Sequence, residues 1–149
     1  MAPAPAAKVT YVSLSADDPA MNAAFDAGIA AAQSKLGRVA PLYIDGKARH
    51  TTATTDSRNP ADARMVVARV ASATADDVRD AVAAARAAYP GWSRTPWQER
   101  ARLLGRASAL IRERRMELSA WMILEMGKNR IEALGEIEET ADLIDYYIA

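Results

Sequence analysis

The helical period that opens at Thr95-Pro96 and runs without a breaker to Met126 most constrains the fold, because it predicts one helix of about 30 residues, roughly 45 Å long. Thr95 reads as its N-cap, Pro96 as the first helical residue and Glu99 as the acid of the first turn. Two more helices flank it. "TADDVRDAVAAARAAYPGW" carries Thr74 as cap with Asp77 in a capping-box position, an apolar face of Val78, Val82 and Ala85, and an end near Pro90-Gly91. The last helix, Ile131 to Ile148, gathers Leu134, Ile137, Ala141, Ile144 and Ile148 on one face.

The strands before Thr74 are few. An earlier helix, Met21 to Leu36, shows Phe25, Ile29, Ala32 and Leu36 at helical spacing and stops at Gly37. Leu42 to Ile44 and the β-branched run Thr51 to Thr55 flank Asp45-Gly46, a type I′ hairpin signal. A turn at Asn59-Pro60 leads into an extended run, Met65 to Val70. A small antiparallel region of this kind cannot cover three long helices. Residues 1–20, with Pro3 and Pro5 among alanines, read as a mobile tail before a unit spanning 21–149.

Composition removes several functions. A formal net charge of zero gives no whole-chain attraction to nucleic acid or an anionic membrane. No apolar run approaches the roughly 20 residues that cross a bilayer, and the first residues fit neither a secretion signal nor a transit peptide, so a cytoplasmic protein is expected. The chain has no cysteine, which excludes thiolate metal sites and a cysteine nucleophile. Its seven glycines are scattered, so no phosphate-cradling loop exists. The single histidine, His50, reads as an exposed strand residue. The arginines from Arg100 to Arg115 read as a solvated face, or as partners of the acidic last helix.

One residue breaks the pattern. Leu104, Ile111 and Leu118 are heptad-spaced, Ala107 and Met122 share their face, and the next position in the series is Glu125. A carboxylate there is expected partly against the core, where it needs a partner. It either reaches solvent or pairs with Lys128 at a wet helix end, or it is anchored by backbone donors or a hard cation.

Several separated segments resemble the start of the aldehyde dehydrogenase superfamily: "PLYIDGK", "NPAD" followed by "VVARVASATADDVRDAVAAARAAYPGW", "ERARLLGRASALIRERRMELSAWMILEMGK" and "EALGEIEETADLIDYY". Within it they look most like the 1-pyrroline-5-carboxylate dehydrogenases, which oxidise L-glutamate γ-semialdehyde to glutamate in proline catabolism. The resemblance implies an α/β fold in which residues 21–149 form the amino-terminal lead-in of a Rossmann-like NAD-binding domain, beside a parallel sheet encoded further along. It implies NAD as cofactor, a small aldehyde substrate, the remainder of the dehydrogenase as partner and a homo-oligomer when complete. The catalytic cysteine, general-base glutamate and oxyanion-hole asparagine of such enzymes match nothing here, so the chain alone is expected to be inert. The resemblance also suggests a structural Na+ or K+ site formed by Glu125 with the carbonyls of Ser57 and Arg58, although "EMGKN" departs from the more usual proline after the lysine.

The ending "DLIDYYIA", a helix without a C-cap glycine, favours a truncated or split dehydrogenase. The competing reading is a free-standing helical binding module on a dehydrogenase-derived scaffold.

Overall fold

The computed structural model of the chain describes residues 15–149. Most of the tail expected over 1–20 lies outside the described residues, and its last two, Pro19 and Ala20, open the first helix. Helix α1, Pro19–Gln33, starts two residues earlier than the apolar spacing indicated, because the Asp18 carboxylate accepts from the amides of Ala20 and Met21 and Pro19 occupies the first helical position.

Five strands follow: β1 Arg38–Ala40, β2 Leu42–Ile44, β3 Lys47–Arg49, β4 Thr54–Asn59 and β5 Asp62–Ala71. Asp45 and Gly46 take φ of 54° and 69°, the type I′ geometry expected for the β2–β3 hairpin. The partner of β2 is Lys47–Arg49 and not the threonine run, since a two-residue turn closes the pairing at once, Ile44 against Lys47. Thr54 and Thr55 instead enter β4, which pairs with β5 around the Asn59-Pro60 turn. There the Asn59 side chain accepts from the amides of Ala61 and Asp62.

The strand region is not purely antiparallel. β1 lies parallel to β5, Arg38 opposite Ala68 and Ala40 opposite Val70, giving the order β1-β5-β4, while β2-β3 forms a sheet of its own. The chain between β1 and β5 supplies the long crossover that parallel pairing requires.

Helix α2, Ala75–Arg94, opens with the expected capping box: the Asp77 amide donates to the Thr74 hydroxyl, and the Thr74 amide donates back to the Asp77 carboxylate. It runs past Pro90, because the hydroxyls of Ser93 and Thr95 donate to the carbonyls of Pro90 and Gly91 and satisfy the last turn. That use of Thr95 corrects its expected role as an N-cap. Helix α3, Trp97–Glu113, begins after Pro96 without a side-chain cap.

The long helix is also divided. Arg114 sits at φ −97°, ψ 14°, between α3 and α4, Arg115–Met126. The bend separates two packing tasks: α3 lies along the last helix, α5, Arg130–Ile148, whereas α4 packs against α1, α5 and β4. The described residues therefore form five helices where four were expected. The bend also shifts the buried face from the Leu104–Ile111–Leu118 series to Ser108 on α3 and Ser119, Ala120 and Leu124 on α4. On α5 the expected apolar face holds, with Leu134 and Ala141 buried.

Two apolar clusters hold α1, α4, α5 and the larger sheet together. Ala32, Val67, Ala120 and Leu124 join α1 to β5 and α4, and Met21, Phe25 and Leu134 join α1 to α5. Gly28 lets α1 approach α4 closely, since a Cβ there would lie 3.0 Å from the Met116 carbonyl oxygen. Phe25 is fully buried, with the Arg130 guanidinium 5.6 Å from its ring centre. Phe25→Ala is expected to cost about 3–5 kcal/mol, read as a lower denaturation midpoint in urea.

Candidate functional site

Glu125 lies in the last turn of α4, where Gly127 ends the helix in the left-handed region at φ 72° and donates its amide to the Ile123 carbonyl. A Cβ on Gly127 would come within 2.9 Å of the Pro60 ring, so the helix end and the β4–β5 turn lock together. This seats the end of α4 beside the second half of β4. The Ser57 hydroxyl donates to a Glu125 carboxylate oxygen at 2.7 Å.

Glu125 is exposed, contrary to its expected place partly against the core, because the bend at Arg114 turns the Leu118 series away from the buried face. It does not meet Lys128, whose ammonium is held by Glu136 on α5. The three residues singled out from the sequence are thus neighbours in two elements. Ser57 contacts Glu125 directly, and Arg58 follows it on β4, its side chain engaged by Asp56 at 2.6 Å and by the Ala63 carbonyl at 3.0 Å. The β4–β5 ladder is irregular on both sides of Arg58. The oxygen set is hard and singly anionic, which fits a monovalent ion better than a divalent one. Among the described residues no group of three or more His, Cys, Asp or Glu side chains could hold a metal. His50 is exposed and follows β3.

The arginines divide in the way the acidic last helix suggests. Arg112 donates to Asp142 at 2.8 Å, to Asp145 at 2.7 Å and to the Ser108 hydroxyl at 2.7 Å, and both Arg112 and Arg115 approach the buried Glu138. Arg102 and Arg114 pair instead with Glu99 and Glu117 one helical turn away.

Sequence reasoning did not find the cluster at the start of α2. Arg49, at the end of β3, donates to both Asp77 and Asp80 at 2.8 Å. The guanidinium, with the Thr74 amide and hydroxyl, holds the Asp77 carboxyl down to about 2 from an ordinary 3.8. Asp77 was legible as a cap; its cation, 28 residues away, was not. No described helix is long and apolar enough to cross a membrane.

Residues 47–149 match the sequence pattern of the aldehyde dehydrogenase family. The chain is 41% identical over 115 residues to 1-pyrroline-5-carboxylate dehydrogenase of Staphylococcus epidermidis, covering 77% of this chain and 22% of that protein. It is 40% identical over 124 residues to the enzyme of that name from Geobacillus kaustophilus, covering 83% of this chain and 24% of that one. The structure of 1-pyrroline-5-carboxylate dehydrogenase from Thermus with bound NAD superposes with a TM-score of 0.90 at 32% identity, over 99% of this chain and 28% of that chain. The chain therefore spans about a quarter of the length of the proteins it resembles.

Two outcomes follow from this geometry. Because Asp77 titrates lower in the folded chain than in the unfolded one, its stabilising effect is full above about pH 4 and is lost as pH falls toward 2. Asp77→Asn should flatten the acid dependence of the denaturation midpoint in that window. Gly127→Ala should destabilise by at least about 1–2 kcal/mol from the left-handed backbone alone, with the Pro60 contact adding to it, as a thermal melt would register.

Proposed function

Since the chain belongs to the aldehyde dehydrogenase family, we propose that it forms the amino-terminal part of the NAD-binding domain of an NAD-dependent dehydrogenase that oxidises L-glutamate γ-semialdehyde, the open form of 1-pyrroline-5-carboxylate, to glutamate. The observation that carries this reading is the fit of 99% of the chain to the NAD-bound Thermus enzyme at a TM-score of 0.90. The nucleophile, the NAD site and the substrate anchors come from polypeptide outside these residues, in keeping with the absence of cysteine. The complete enzyme is a cytoplasmic homo-oligomer with a small aldehyde as substrate and neither nucleic acid nor membrane as partner.

Within that enzyme residues 21–149 have a structural task. Glu125, with the Ser57 hydroxyl 2.7 Å away, would hold Na+ or K+ between the end of α4 and β4, together with the carbonyls of Ser57 and Arg58. The ion would supply fixed positive charge to this junction and takes no part in hydride transfer.

Replacing the matching segment of the Thermus enzyme with residues 1–149 should give a chimera that forms NADH from 1-pyrroline-5-carboxylate, whereas residues 1–149 alone form none. A folded chimera that oxidises only unrelated aldehydes would overturn the substrate assignment. In the active chimera, Glu125→Gln should abolish the rise in thermal midpoint that Na+ or K+ brings over a bulky organic cation; an unchanged rise would remove the ion site.

A further inference from the structure

Among the described residues, two buried side-chain oxygens exchange no hydrogen bond with the protein: the Ser119 hydroxyl and Glu138 Oε1. Both residues are almost closed to bulk solvent, Ser119 at 0% exposure and Glu138 at 4%. They belong to one interface. Arg115, Ser119 and Ile123 are spaced four residues apart on α4 and so share a face. At one end of that row Arg115 meets Glu138 on α5, and at the other Ile123 packs on the cluster that contains Leu134 of α5. Ser119 therefore faces the turn of α5 between Leu134 and Glu138, where the buried Gly135 has no side chain to offer it.

The two arginines do not satisfy the carboxylate by themselves. Arg112 Nε lies 3.5 Å from Oε2 and Arg115 Nη1 lies 3.6 Å from Oε1, the separations of ion pairs and not of hydrogen bonds. A carboxylate so deeply buried needs donors as well as opposite charge, and polar groups held this far apart are commonly joined by a water. We propose that an ordered water molecule is bound between α4 and α5, donating to Glu138 Oε1 and accepting from the Ser119 hydroxyl and from Arg115. Three partners are what a buried water ordinarily has. The surrounding charges select such a ligand: a cation would sit beside two guanidiniums and an anion beside a buried carboxylate, so the site fits a small neutral molecule that both donates and accepts. Gly135 leaves room for it on the α5 side. A cavity of about 630 Å³, whose lining includes Ser108, Arg112, Arg115 and Met116, gives it a route from solvent. Through this water Ser119 and Glu138 act as one unit, a polar link between α4 and α5 next to the apolar cluster around Leu134.

The junction lies wholly within residues 1–149, and a high-resolution crystal structure of that chain tests it. Density should stand within about 2.7–3.2 Å of both Ser119 Oγ and Glu138 Oε1. Crystals grown in rubidium bromide should show no anomalous signal at that point. A direct hydrogen bond from Arg115 to Glu138 Oε1, with Ser119 donating to a carbonyl of its own helix and no density between them, overturns the proposal. Rubidium or bromide at the site overturns it too, as an adventitious ion only. In solution, oxygen-17 relaxation dispersion counts long-lived waters. Ser119→Ala combined with Glu138→Leu should lower the count by one, whereas the exposed Glu139→Gln should leave it unchanged. Each of the first two changes alone should lower the thermal midpoint, and the pair should lower it by less than the sum, because the shared water is lost only once. An unchanged water count, or shifts that simply add, sinks the idea; if the double variant does not fold, the crystal structure of the parent chain still decides.

Discussion

The close approach of α1 and α4 is the contact on which the rest of the molecule is built. Gly28 faces the Met116 carbonyl and Ala120 is fully buried, so the two helices meet where neither has a bulky side chain. This proximity lets α1 reach β5 through Ala32 and Val67 on one side and α5 through Phe25 and Leu134 on the other. A Cβ at position 28 would meet the Met116 carbonyl oxygen at 3.0 Å and require α1 and α4 to separate by a few tenths of an ångström.

Around that contact, charge sets orientation more than stability. Lys35 at the end of α1 pairs with Glu117 on α4, Arg130 on α5 reaches Asp26 on α1, and Arg112 on α3 reaches Asp142 and Asp145 on α5. Most of these groups are substantially exposed, and pairs of that kind each contribute about 0–1 kcal/mol. Each one joins two helices that also meet through apolar or small side chains. The buried Glu138, with Arg112 and Arg115 on either side, is the exception, because removing one partner would leave a desolvated charge.

Local chemistry was legible in the sequence wherever a turn or cap is made by adjacent residues. Asp45-Gly46, Asn59-Pro60 and the Thr74–Asp77 box all hold, because each is decided within four residues. What depended on distant partners was not legible. The parallel seat of β1 rests on β5, thirty residues on, and three residues reading Arg-Val-Ala carry no period. The bend at Arg114 answers to where α1 and α5 lie, and no proline or glycine marks it. Thr95 looked like a cap because its hydroxyl could serve either helix, and the carbonyl of Gly91 competed successfully for it. At the candidate site, the family resemblance brought Glu125 and the Ser57 backbone together, but the Ser57 hydroxyl as direct partner and the exposure of the carboxylate came only with the fold.

The tie between α5 and α1 has a consequence for biosynthesis. Arg130 donates to Asn22 and Asp26, residues separated from it by 108 and 104 positions. Synthesis therefore makes α1 well before its partners on α4 and α5, which follow only after about a hundred more residues, some 5–20 seconds later at ordinary rates. Through that interval the cluster that Met21 and Phe25 form with Leu134 cannot close. The seating of α1 is therefore completed in two steps: Ala32 can meet Val67 as soon as β5 is made, whereas Phe25 waits for Leu134 on α5.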